Sequence, residues 1–161
     1  MTDEIQELFQ HIGQLAVDSV PTEKWDIIAL KVKALLTYVE LDVTYMHHEN
    51  QFVPKTFIIK AKHLEYDLRV TPSFERMRQL MYNKAPFRGA WYTAVMTITK
   101  DGKLDTEFDY DNKPEQEYES EDAEYVRDFQ HFPRNEESTP DWLKEIVQQH
   151  GLSYHEPEPL S

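Results

Sequence analysis

The chain has 161 residues, which suits one domain with a real core and leaves little room for two. Hydrophobic residues at 40% and aromatics at 12% exclude a disordered polar chain, and the absence of cysteine excludes disulfides, a thiolate nucleophile and a zinc–thiolate site. A net charge of −13 disfavours direct binding of a nucleic acid phosphate backbone and favours a basic protein partner, a cation or simple solubility.

No charged-then-apolar leader opens the chain, and no apolar run nears the roughly 18 residues of a membrane span. A soluble, cytoplasmic protein with no membrane contact is therefore expected. Residues 3–19 carry Ile5, Leu8, Phe9, Ile12, Leu15 and Ala16 at helical spacing, with Thr2 or Asp3 as cap and Pro21 as terminator. Gly13 weakens that helix by roughly 1 kcal/mol against alanine, which suggests that another element approaches it closely. A strand is expected over 25–36, where Ile28, Leu30 and Val32 alternate with Ala29, Lys31 and Lys33, although helix propensity competes there. Val39, Leu41, Val43 and Tyr45 alternate more cleanly and predict a second strand. His47 to Asn50 reads as a polar turn. Residues 56–60 form a short third strand, with Pro54 marking an edge or loop. Thr71 as cap and Pro72 at the first position predict a helix over 71–83, with Phe74, Met77, Leu80 and Met81 as its stripe.

The strongest local signal is residues 91–111, W-Y-T-A-V-M-T-I-T-K-D-G-K-L-D-T-E-F-D-Y-D. Two alternating runs flank Asp101-Gly102, a dipeptide that tolerates the positive φ of a tight hairpin turn. In the second run Leu104, Thr106, Phe108 and Tyr110 share one face. Asp105, Glu107, Asp109 and Asp111 share the other, because side chains alternate along a strand. A ladder of like charges is either a solvated outer face or a surface shaped for a basic partner.

Beyond Asp111 the chain turns acidic, with tyrosines interleaved. Ser120 is expected to cap a short helix whose apolar side is Tyr125, Val126 and Phe129. His131 to Arg134 reads as a loop. Thr139 is expected to cap a last helix with Pro140 at its first position, Trp142, Leu143, Ile146 and Val147 as its stripe, and Gly151 past its end. Residues 155–161 are expected to fray.

Catalytic signatures are missing. There is no G-x-S-x-G, no phosphate-cradling glycine loop and no H-E-x-x-H. His47-His48-Glu49 and the Asp109/Asp111 pair are the nearest to metal ligands, but neither has a third ligand at a diagnostic spacing. The reading is therefore no catalytic residue, no metal and no cofactor. A small metal-dependent hydrolase using His47, His48, Asp109 and Asp111 is the least favoured alternative. The three tryptophans, Trp25, Trp91 and Trp142, sit beside apolar positions and are expected in the core.

The order of elements, with P-x-x-x-W at Pro21 to Trp25 and G-K-L-D-T-E-F-D-Y-D from Gly102, resembles the YezG-like family of bacterial antitoxin and immunity proteins. The matching positions are Pro21, Trp25, Trp91, Gly102, Lys103, Phe108, Tyr110 and Asp111. They cover roughly residues 1–111, a core to which 112–161 adds an acidic, helical C-terminal extension. Phe132 to Arg134 and Pro140 to Leu143 lie outside that part. The resemblance implies a non-enzymatic protein that binds and neutralises a cognate toxin, commonly a secreted nuclease domain used in bacterial competition. A nuclease cleft is basic, so carboxylates placed where phosphates would lie can plug it. The candidate contacts are Asp105, Glu107, Asp109, Asp111, Glu117, Glu119, Glu121 and Asp122, with Tyr118 and Tyr125 as aromatic anchors. An adaptor for another basic protein is the runner-up, and a homodimer stays open. The expected fold is a single α+β domain, with an antiparallel sheet of about five strands and helices packed on one face.

Overall fold

The computed structural model describes residues 3–18, 24–47, 50–60, 70–116 and 118–156. The chain runs α1 (Asp3–Asp18), β1 (Ile27–Ala34), β2 (Tyr38–His47), β3 (Asn50–Lys60), α2 (Val70–Lys84), β4 (Thr93–Thr99), β5 (Leu104–Asp109), α3 (Asp122–His131) and α4 (Asp141–Gln149). Short 3-10 turns lie at Pro86–Arg88 and Glu136–Ser138. The strands form one antiparallel sheet in the order β3-β2-β1-β4-β5, which is the expected α+β class.

Register explains the main core. Val32 is opposite both Leu41 and Ala94, Leu30 is opposite Val43 and Met96, and Ile28 is opposite Tyr45 and Ile98. Residues opposite one another point to the same face, so three neighbouring strands present a continuous apolar surface. Helices α1 and α2 cover it with Ile5, Phe9, Ile12, Phe74 and Met77, all buried. Gly13 of α1 is the expected point of close approach. A Cβ there would lie 2.9 Å from Leu104 Cδ1, so the bare backbone lets α1 settle on β5. The hairpin turn is also as expected, with Gly102 at φ 88° and its N–H donating to Thr99 O over 3.0 Å.

A second apolar centre gathers Leu35, Tyr92, Tyr125, Phe129, Leu143, Ile146 and Val147. It lies where β1 ends and the chain enters β4, and α3 and α4 close that end of the sheet. Two buried arginines bolt it down. Arg78 of α2 donates from Nε to Trp91 O at 2.7 Å and forms a two-pronged pair with Asp128 of α3, at 2.6 and 3.0 Å. Arg134, 1% exposed, donates to the carbonyls of Tyr110, Ser138 and Ala90 at 2.9, 3.0 and 3.1 Å. Gly89 makes room for it: at φ 82° it adopts backbone that favours glycine, and a Cβ there would sit 2.3 Å from Arg134 Nε.

Several expectations are corrected. β3 begins at Asn50 rather than 56, and Pro54 falls at a register shift opposite the stretch Val43 to Tyr45 of β2. A proline can occupy an edge strand at a bulge because no ladder bond needs its missing N–H. β3 is that edge. His47 belongs to β2 and pairs in register with Asn50. Ser120 does not cap α3: its N–H donates to Gln116 Oε1 at 3.1 Å, and Glu121 stands at the N-cap without a side-chain bond. Thr139 does not cap α4, because its hydroxyl donates to Asn135 O at 2.7 Å and Pro140 takes the N-cap position. His131 closes α3 instead of lying in a loop. Residues 1–2, 19–23, 48–49, 61–69, 117 and 157–161, including the expected cap Thr2, the terminator Pro21, His48 and the last five residues of the tail, lie outside the described residues. His155, expected to fray, instead donates its N–H to Arg134 O at 2.8 Å.

Candidate interaction surface

The face of the sheet opposite the main core carries the acidic ladder. In the β4–β5 register Asp105 faces Thr97, Glu107 faces Val95 and Asp109 faces Thr93. Continuing across β1 and β2, one row reads Glu40, Lys33, Thr93, Asp109 and the next reads Asp42, Lys31, Val95, Glu107. The face is therefore striped, with acid on β2, base on β1, neutral residues on β4 and acid on β5. Lys33 Nζ lies 3.2 Å from Glu40 Oε2 and 4.0 Å from Asp42 Oδ2, so Lys33 of β1 answers the acid of β2. Asp105 and Glu107, two strands removed, stay exposed. Lys31, Lys33 and Lys113 also line a polar hollow of about 410 Å³ with Thr93, Asp109, Asn112 and Glu115. Nothing in the sequence sets the lysine stripe apart beyond the alternation of Lys31 and Lys33 with the apolar residues of β1.

Asp109 has a structural task. Its Oδ1 accepts from the N–H groups of Asp111 and Asn112, both at 3.0 Å, and its Oδ2 accepts from Asn112 Nδ2 at 2.8 Å. Partial burial pushes its pKa up, but these three bonds to the charged form outweigh it and hold the carboxyl below the usual range. Asp109 thus closes the turn that leaves β5. Asp111 follows it at the surface, and its carbonyl accepts from Trp142 Nε1 at 2.7 Å. Trp142 is half-buried and ties α4 to the end of β5, whereas Trp25 and Trp91 are buried in the main core as expected.

The second acidic stretch is more occupied. Glu119 lies 3.5 Å from Lys113, and Asp122 lies 3.9 Å from His150. Glu121 is exposed at the start of α3, and Glu117 lies outside the described residues. Of the two proposed aromatic anchors, Tyr118 is 66% exposed and remains available. Tyr125 is 1% exposed and packs edge-on against Tyr92 and Trp142, so its assignment as a surface anchor is corrected: it is a core residue. The helix phase that put Tyr125 beside Phe129 already pointed inward.

The hydrolase constellation does not assemble. His47 pairs at the end of β2 next to Ile27, which faces Thr99, whereas Asp109 faces Thr93 at the opposite end of β4. Six residues of strand separate those ends by about 20 Å. His47 instead lies 3.6 Å from Asp26. Among the described residues, no group of three or more His, Asp or Glu side chains is placed to hold a metal ion, and no helix is long and apolar enough to cross a membrane.

The domain is thus α+β, with α1 and α2 on one face of its sheet, α3 and α4 at its end, and the charged stripes on the other face. Residues 5–141 match the family model described as "Immunity protein YezG-like", and the chain belongs to that family. The match reaches past residue 111 and takes in Phe132 to Arg134 and Pro140, so the similarity is wider than the sequence motifs indicated. Family membership supports an immunity role. No match was found among curated proteins.

Proposed function

We propose that this protein is the cytoplasmic antidote to one toxin, binding the toxin's active domain directly and carrying out no reaction itself. The toxin domain is basic, and a nuclease fits best, because a phosphate-binding cleft presents the positive field that a chain of net charge −13 attracts. The observation that carries this reading is the exposed Asp105/Glu107 pair on the open face of the sheet, in a chain that belongs to an immunity family. Rigid strand spacing holds these carboxylates ready, so little side-chain order is lost on binding beyond the residues themselves.

The test is a rescue experiment. The C-terminal domain of a toxin encoded beside this gene is expressed in cells with and without this chain. Survival only in its presence, together with a complex on size-exclusion chromatography, is the expected result. Loss of toxicity without complex formation would contradict direct neutralisation. In the purified complex, Asp105→Lys with Glu107→Lys should slow association by about tenfold at low salt and flatten its salt dependence. An unchanged rate and salt slope would place the contact elsewhere.

A further inference from the structure

We propose that the toxin docks by adding one of its own strands, basic at every second position, to the outer edge of β5. This inference rests on the immunity reading and specifies its contact. β5 is the last strand of the sheet, six residues long, and β4 is its neighbour on one side only. The bond from Thr99 N–H to Lys103 O at 2.9 Å fixes which residues face β4. In an antiparallel pair, opposite residues alternate between bonded and non-bonded positions. Lys103, Asp105, Glu107 and Asp109 therefore direct their peptide groups to β4, and Leu104, Thr106 and Phe108 direct theirs outward. Among the described residues no hydrogen bond to those three outward peptide groups is formed. They make a row of donors and acceptors at the rim of a rigid sheet, the arrangement that accepts an added strand.

Charge selects the occupant. Asp105 and Glu107 lie about 7 Å apart on one face, the spacing of alternate side chains on any strand. A strand paired with β5 would bring its own alternate side chains within about 5 Å of them. Lysine or arginine there is attracted, whereas aspartate or glutamate is repelled. A second copy of this chain would present its own acidic ladder, so the feature that admits a basic strand also opposes edge-to-edge pairing of the protein with itself. Exposed edges are commonly protected by charge. Protection alone, however, works with either sign, and the choice of acid suits the basic partner of the immunity reading.

The test uses the full chain and the toxin domain that it rescues, inactivated by substitution. Backbone amide exchange is measured with and without that domain. The amides of Leu104, Thr106 and Phe108 should slow by at least about tenfold in the complex. Thr106→Pro removes an outward N–H while sparing every bond to β4, and should raise Kd by about tenfold or more with the circular dichroism of the parent. Unchanged exchange at all three amides in a formed complex overturns strand addition while leaving the immunity reading intact. So does a folded Thr106→Pro variant with Kd within twofold of the parent. If Thr106→Pro does not fold, the exchange measurement on the parent decides. Failure of any toxin domain to bind removes both readings.

Discussion

The two apolar centres of this molecule are joined to the sheet by different means. The larger one, between α1, α2 and the strands, is apolar surface pressed on apolar surface. The smaller one, around Tyr92, Phe129 and Leu143, depends on Arg78 and Arg134, which reach into it or beside it and satisfy a carboxylate and main-chain carbonyls. Burial of aliphatic groups is non-directional and tolerates small rearrangements. A buried guanidinium does not, because its bonds to acceptors hold only at a set distance and angle. The first centre should therefore yield gradually to substitution, and the second should fail sharply at a few positions.

The largest effect is expected at the ion pair. Asp128→Ala leaves the Arg78 guanidinium buried without its carboxylate and should cost about 3–5 kcal/mol in chemical denaturation. Replacing both residues together, Arg78→Met with Asp128→Leu, should recover most of that loss, since a well-packed apolar pair avoids desolvating charge. If the double variant is as unstable as the single one, the bond from Arg78 Nε to Trp91 O matters more than the pair itself. Next comes Gly89→Ala. The left-handed backbone alone should cost about 1–3 kcal/mol, and the collision with Arg134 should add to it. A near-neutral result would show that Arg134 can retreat, which would weaken the contrast between the two centres.

The parallel substitution in the larger centre is Gly13→Ala. Its Cβ would meet the end of the flexible Leu104 side chain. Helix propensity favours alanine by up to about 1 kcal/mol, so the net change should stay within about 1 kcal/mol of the parent. The smallest effect is at the rim. Asp109→Ala should cost about 0.5–1 kcal/mol at neutral pH through the lost turn bonds. Because the folded-state pKa of Asp109 is lowered, its contribution is present above the unfolded carboxylate pKa and is lost as pH falls through the folded value. The gap between variant and parent should therefore close below about pH 4 in denaturation curves measured across pH.

Most of the first centre could be read along the chain. Alternation in β1 and β2 identified the strands, even against competing helix propensity, and the Asp101-Gly102 hairpin set the register of the ladder. The helix stripes of α1 and α2 were legible for the same reason. The caps of α3 and α4 were not, because Ser120 and Thr139 found other partners once the neighbouring turns formed. Of the candidate contacts, Asp105, Glu107, Glu121 and Tyr118 stand exposed as expected, while Asp109 is engaged in its turn and Tyr125 is buried.

What the sequence determined by itself is whatever depends on neighbours along the chain: period, turn chemistry and the sign of the charge. It placed acid on alternate positions of one strand and apolar groups on the others. Only the tertiary structure decided that this strand lies at the rim of the sheet, that lysines of β1 separate it from the acid of β2, and that two arginines hold the C-terminal helices. These facts depend on which distant segments meet. A guanidinium bonded to carbonyls many residues away leaves no periodic trace, since the acceptor is the backbone that every residue shares.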